Sequence, residues 1–298
     1  VTKEASATFA EREARCPGAQ RPALAARPRS GGAWRGRRAA AAALLAAGAL
    51  ALYAGELEPS WVERTHHVLG PPRADGRPLR IVQLSDLHLS SVGARERRVA
   101  AQVRRERAEL VVLTGDLVEA EAALPLLDAF LSLLGEPPAI VAVPGNRERS
   151  GAVRLASLRA VLARHHGRLL VNEVLPGIQA DRRFAIAGLD YPAGRLAPVD
   201  AAAFARSPNR LILAHSPAAR DAWQGPPAVA MLAGHTHGGQ VAPFGLAPWL
   251  PPDAAGYRAG WYRGGAVDVY VSRGVGTSML PLRLGARPEV TVFDWWLE

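Results

Sequence analysis

"RIVQLSDLHLS", Arg80 to Ser90, begins with an aliphatic run and ends on Asp86 and His88. An apolar run of this length bounded by polar residues reads as a buried strand. The two polar side chains then stand just past its carboxyl end. Four more stretches share the design: "LTGDLVE" (Leu113–Glu119), "VPGNRE" (Val143–Glu148), "ILAHSP" (Ile212–Pro217) and "LAGHTHGGQ" (Leu232–Gln240). They place Asp116, Asn146, His215 and the pair His235/His237 after further apolar runs. In an open α/β sheet, groups beyond the carboxyl ends of strands converge on one edge. Asp86, Asp116 and Asn146 are spaced 30 residues apart, about one strand–helix–strand unit each time.

Periodicity predicts strands at 79–84, 110–114, 139–143, 184–187, 210–214, 229–232, 267–271 and 289–293, and helices at 96–107, 119–134, 151–165 and 217–223. The first three strands alternate with helices, which argues for parallel pairing. The later strands lie closer together and leave room for antiparallel pairing.

Asp86, His88, Asp116, Asn146, His215, His235 and His237 together exceed the four ligands of a zinc site. They suit two ions sharing a bridging carboxylate. Mixed imidazole and oxygen donors fit Mn²⁺, Fe or Zn²⁺ better than Ca²⁺, with Mn²⁺ as the first expectation. Two such ions about 3.5–4 Å apart can clamp a phosphoryl group and generate a hydroxide at neutral pH. Taken singly, each residue has a plainer reading. Asp86 could cap a helix, His215 could be a core or surface histidine, and Gly115-Asp116 could be a turn. All of them occur in order and at strand ends, which favours the joint reading.

The pattern resembles the calcineurin-like metallophosphoesterase superfamily, whose motifs run D-x-H, G-D, G-N-H-[DE], H and G-H-x-H. The resemblance implies a four-layer αββα sandwich with a dinuclear metal site. By motif, Asp86, His88 and His237 would hold one metal, and Asn146, His215 and His235 the other. Asp116 would bridge them, and a shared hydroxide would attack phosphorus. "ELEPSWVERTHHV" (56–68), "GHTHGGQ" (234–240) and "VSRGVGTSMLPLRLGARPEV" (271–290) resemble the membrane-associated bacterial branch. The similarity covers about 240 residues.

One position departs from the motif. Arg147 stands where the superfamily carries the histidine that helps the leaving group depart. A guanidinium stays protonated near neutrality and cannot act as a general acid. It can still donate paired hydrogen bonds to phosphate and stabilise developing charge. Arg147, with Asn146 and Asp116, is therefore expected to carry catalysis and to contact substrate. The same G-N-R-[DE] variant resembles the UDP-2,3-diacylglucosamine pyrophosphatases of lipid A synthesis. A coding bias toward arginine is the bland account, since Lys3 is the only lysine among 36 basic residues.

The net charge of +9 is concentrated at the N-terminus: residues 1–38 carry +6 and the rest of the chain +3. That distribution disfavours nucleic acid as partner and a nuclease reading with it. Cys16 is the only cysteine, so an intrachain disulfide is excluded. Residues 1–38 read as a basic disordered arm, 39–55 as a transmembrane anchor, 56–78 as a connector and 79–298 as the phosphoesterase domain. Ala39–Gly55 carries no charge over 17 residues, roughly 25 Å of helix. Arg35, Arg37 and Arg38 precede it, placing the domain outside the cytoplasmic membrane. A cleaved signal peptide is the rival, with Ala49-Leu50-Ala51 as its site, and Arg37-Arg38 weakly resembles a twin-arginine signal.

The leading expectation is a dinuclear phosphohydrolase acting on phosphodiester or pyrophosphate bonds of a small-molecule or lipid substrate. The lipid A pyrophosphatase is the alternative. An inactive membrane-tethered binding protein is disfavoured, because all seven ligand positions are filled. Asp190, Tyr191 and Arg283 are candidates for the cleft, against a turn and solvent exposure. His66, His67, His165 and His166 read as surface residues.

Overall fold

The computed structural model describes residues 31–135, 139–179 and 181–298. The chain divides into two units, 1–47 and 48–298. Residues 1–30 of the expected basic arm, Cys16 included, lie outside the described residues. The helix Gly31–Leu52 starts earlier than expected, so residues 31–38 are helical. Alanine and arginine are strong helix formers, and the Arg38 guanidinium lies 3.5 Å over the Trp34 ring, one turn away. Through a π turn at Tyr53–Leu57 the helical segment continues to Ser60. By length and composition, Trp34–Ser60 is long and apolar enough to cross a membrane.

Among the described residues, twelve strands form two six-stranded sheets. In the first, β2 (Leu79–Leu84), β3 (Leu110–Thr114), β4 (Ile140–Val143) and β5 (Gly167–Leu169) run parallel. β12 (Glu289–Trp295) lies antiparallel against β2, and β1 (Glu63–Leu69) lies parallel to β12 at the edge. The second sheet has the order β10 (Gly260–Tyr262), β11 (Val269–Val271), β9 (Ala230–Ala233), β8 (Asn209–Leu213), β7 (Arg182–Gly188) and β6 (Glu173–Gln179).

Three apolar cores define the layers. Ile81, Val112 and Val141 of the first sheet pack against Ile186, Leu211 and Leu232 of the second. The opposite face of the first sheet, with Val82 and Leu113, buries Val99, Phe130 and Leu158 from helices Ala94–Glu106, Leu124–Leu133 and Leu155–Arg164. Ala185, Ile212 and Met231 of the second sheet are covered by Phe204 and Trp223. Adjacent residues such as Ile81 and Val82 thus serve different cores, as the two-residue strand period requires. The result is the αββα sandwich.

Two expectations are corrected. Of the later strands, β7, β8, β9 and β11 run parallel to one another, and antiparallel pairing among the described residues is confined to β6 against β7, β10 against β11 and β12 against β2. Helices Pro198–Arg206 and Ala219–Ala222 supply the first two crossovers; the second falls within the helix expected at 217–223, and the first was not expected. Within residues 56–78, read as connector, β1 forms. Its burial alternates, with Thr65 and His67 turned inward and Arg64 and His66 outward. His67 is consequently no surface residue. Its ring packs 4.6 Å from Tyr270 and 5.5 Å from Phe293, between centroids.

Candidate metal centre

The exits of β2 and β3 stay coupled beyond the sheet. Asp86 N donates to Gly115 O at 3.0 Å and His88 N to Asp116 O at 2.9 Å. Asp86, His88, Asp116, His235 and His237 all have left-handed backbone, with φ between 41° and 75°. For non-glycine residues this costs about 1–3 kcal/mol each and persists only where surrounding contacts over-determine it. The contacts are present. His235 N donates to both Asp86 carboxylate oxygens at 3.0 and 3.1 Å. Arg147 N donates to Asp116 Oδ1 at 2.8 Å. The buried Glu148 carboxylate accepts from the backbone of Asp116, Leu117 and Gly145 at 2.7–3.0 Å. Glycine is required at Gly145 and Gly234, where a Cβ would overlap the Asp116 and Asp86 carboxylates respectively.

The structure brings all seven expected donors together. Asp86, His88 and His237 form one group, and Asp86, Asp116 and His215 another. His88 Nε2 lies 3.1 Å from His237 Nε2. His215 Nε2 lies 3.0 Å from both Asn146 Oδ1 and His235 Nδ1. Asp116 stands between the halves: Oδ2 is 3.4 Å from His88 Nε2 and Oδ1 is 3.5 Å from His215 Nε2.

Three histidines have their outer nitrogens committed. His215 Nδ1–H donates to Thr114 O at 2.8 Å. His88 Nδ1–H donates to Glu119 at 2.5 Å, and His235 Nε2–H to Asp253 at 2.8 Å. Their inner nitrogens therefore present lone pairs to one another, an arrangement that favours a cation. Ligand atoms about 2.1 Å from an ion, at 90–109° to each other, are roughly 3.0–3.4 Å apart. The donor set fits divalent metal on chemistry and on spacing. Burial, reinforced by His88, holds the His237 pKa well below its ordinary value, and burial with His215 lowers that of His235. For His215, burial is outweighed by the Asp116 and Asp86 carboxylates, and its pKa is raised.

Arg147 lines a cavity of about 600 Å³ over the centre, beside Asp116, Asn146 and His237. Its guanidinium is 3.2 Å from Glu119 Oε2 and donates to Ser278 Oγ at 3.1 Å. The buried Nε has no aligned hydrogen-bond partner. Tyr191 lines the cavity and its hydroxyl donates to Asp253. Asp190 instead pairs with Arg149 at 3.1 Å. Arg283 is corrected on both readings. It is fully buried and donates to the carbonyls of Gly276 and Ala286, with its guanidinium 3.5 Å from His237 Nδ1.

Glu119 and Asp253 were not singled out by sequence reasoning. Glu119 could have been, as the third residue after Asp116 on a loop that leaves the same strand. Asp253 lies in a proline-rich loop without a motif, and only the fold carries it to His235.

The chain matches the calcineurin-like phosphoesterase family over residues 79–239. It is 33% identical over 273 residues to the uncharacterized metallophosphoesterase YkuE of Bacillus subtilis, covering 84% of this chain and 92% of that protein. Phosphodiesterase YaeI of Escherichia coli is 33% identical over 246 residues, covering 80% of this chain and 89% of its own. The transmembrane protein with metallophosphoesterase domain of Bos taurus is 30% identical over 233 residues, covering 72% and 52%.

Proposed function

We propose, from the premise that the chain belongs to the calcineurin-like phosphoesterase family and is a metal-dependent phosphoester hydrolase, that it cleaves phosphodiester or pyrophosphate bonds at a centre of two divalent ions. The observation that carries this reading is the convergence of the seven donors, with three histidines held so that their lone pairs point inward. One ion is assigned to Asp86, His88 and His237, the other to Asn146, His215 and His235. Asp116 is assigned as the bridge, because its two oxygens face opposite halves. Mn²⁺ is the first expectation, with Fe or Zn²⁺ next. When bound, the ions supply Lewis-acid activation of water and of the phosphoryl oxygens. Glu119 and Asp253 fix the imidazole orientations. Arg147 offers its guanidinium to the substrate phosphate from the cavity wall.

The narrower reading, hydrolysis of UDP-2,3-diacylglucosamine, draws support from Arg147 after Asn146. A departing phosphate is a good leaving group and needs no proton. Membrane orientation opposes it. The arginines before Ala39 favour an orientation with residues 56–298 outside the inner membrane, away from a cytosolic UDP substrate. An extracytoplasmic reporter fused after Glu298 is expected to be active. Activity confined to a cytosolic reporter refutes the orientation and raises the lipid A reading.

The function is tested by chelation and reconstitution. Metal-free protein is expected to lose turnover of bis(p-nitrophenyl) phosphate and of a pyrophosphate diester. Mn²⁺, Fe²⁺ or Zn²⁺ should restore it. Protein that stays inert with every metal and every substrate is a binding protein instead.

A further inference from the structure

Phe244, Leu246, Trp249, Met279 and Leu280 are exposed large apolar residues, Phe244 fully so and Met279 by 81%. All five stand on two loops, 240–253 and 277–284, that meet at the cavity over the metal centre. Gln240 clasps the loops: its Nε2 donates to the carbonyls of Ser278 and Leu280 at 2.9 and 3.0 Å, and its Oε1 accepts from Ser278 N at 2.8 Å. Phe244 and Met279 are held in left-handed backbone, φ 54° and 61°. Strained backbone that displays an apolar side chain to solvent persists only where the structure over-determines it. Apolar patches of this kind mark ligand or membrane contacts.

The cavity is bipartite. Asp116, Asn146 and Arg147 form a polar floor, while Val241, Trp249 and Leu280 are part of an apolar wall. Ser278 joins the two, since Arg147 donates to its Oγ. About 600 Å³ is room for a drug-sized ligand, far more than a phosphoryl group needs. The second loop runs on to residues that hold the end of the apolar N-terminal segment. Arg283 N donates to Ala54 O at 2.9 Å and Ala286 N to Glu58 Oε1 at 2.8 Å.

We propose that the apolar wall is a subsite for the hydrocarbon tail of the substrate, a phosphorylated lipid presented from a membrane surface. The phosphoryl group sits on the floor and the tail leaves along Trp249, Met279 and Leu280 toward Phe244. This rests on the phosphohydrolase reading and names its substrate class.

The test uses p-nitrophenyl alkyl phosphodiesters, methyl to decyl, with the full chain and added Mn²⁺. Water attacks phosphorus, the P–O bond to the aryl group breaks and p-nitrophenolate leaves, so the readout is the same for every chain length. The decyl-to-methyl ratio of kcat/KM is expected to be about 10–100 in the wild type. It should fall toward one in Leu280→Ser and in Met279→Ser, two substitutions of exposed side chains. Partitioning of long chains into lipid or detergent is common to all the proteins and cancels in the comparison. A flat wild-type dependence, or one that both variants retain, overturns the subsite. So does light scattering that finds a dimer broken by the same variants, since a second copy would then cover the wall. Failure to turn over any ester of the series overturns the phosphohydrolase reading and the subsite with it.

Discussion

Asp116→Ala is expected to abolish turnover and to strip metal from both halves of the centre. Asp116 is 2% exposed and its carboxylate lies between His88 and His215. Removing it leaves each half with neutral imidazoles and one fewer anionic oxygen. Charge stabilisation worth several kcal/mol is lost, which corresponds to about 10³-fold or more in rate. His237→Ala should weaken mainly one ion, because His237 approaches Asp86 and His88 but not the His215 side. Asp116→Asn keeps an acceptor for Arg147 N, so it separates loss of charge from loss of shape. Elemental analysis and thermal unfolding accompany the rates. Unchanged metal content in a folded Asp116→Ala protein would sink the shared-ligand assignment.

Arg147 should make catalysis depend steeply on the leaving group. Its guanidinium donates but cannot protonate a departing alkoxide. Aryl diesters and pyrophosphates are expected to react well and simple alkyl diesters poorly. Arg147→Ala should slow even the good substrates by about 10–1,000-fold, the range for one charge-assisted contact made in the transition state. Part of that loss belongs to Glu119, which would keep His88 as its partner but lose the arginine 3.2 Å away. Arg147→His should restore a possible acid and improve alkyl substrates relative to aryl ones. The measurement is a set of rates across leaving-group pKa for the three proteins. Equal sensitivity in all three assigns the leaving group to another residue.

What the amino-acid sequence determined by itself was the position of each donor along the chain. Buried strands need unbroken apolar runs, and polar residues just past them must exit at the sheet edge. Asp86, His88, Asp116, Asn146, His215, His235 and His237 were therefore legible from local pattern, and so was the layered α/β class. The tertiary structure decided what depends on distant partners. The strand direction after Gly188 turns on the crossover helix Pro198–Arg206, whose alanine-rich sequence leaves little periodic trace, so antiparallel pairing could not be excluded from spacing. β1 is an edge strand whose inward positions are Glu63, Thr65, His67 and Leu69, only the last of them aliphatic, giving no apolar alternation to read. Arg283 looks like a surface arginine in sequence, and becomes a buried strut only because backbone carbonyls from 276 and 286 close around it. Asp253 reaches His235, and the Met279 loop reaches Arg147, through loops without periodicity. Their placement is set by packing across the sandwich, and no window of neighbouring residues encodes it.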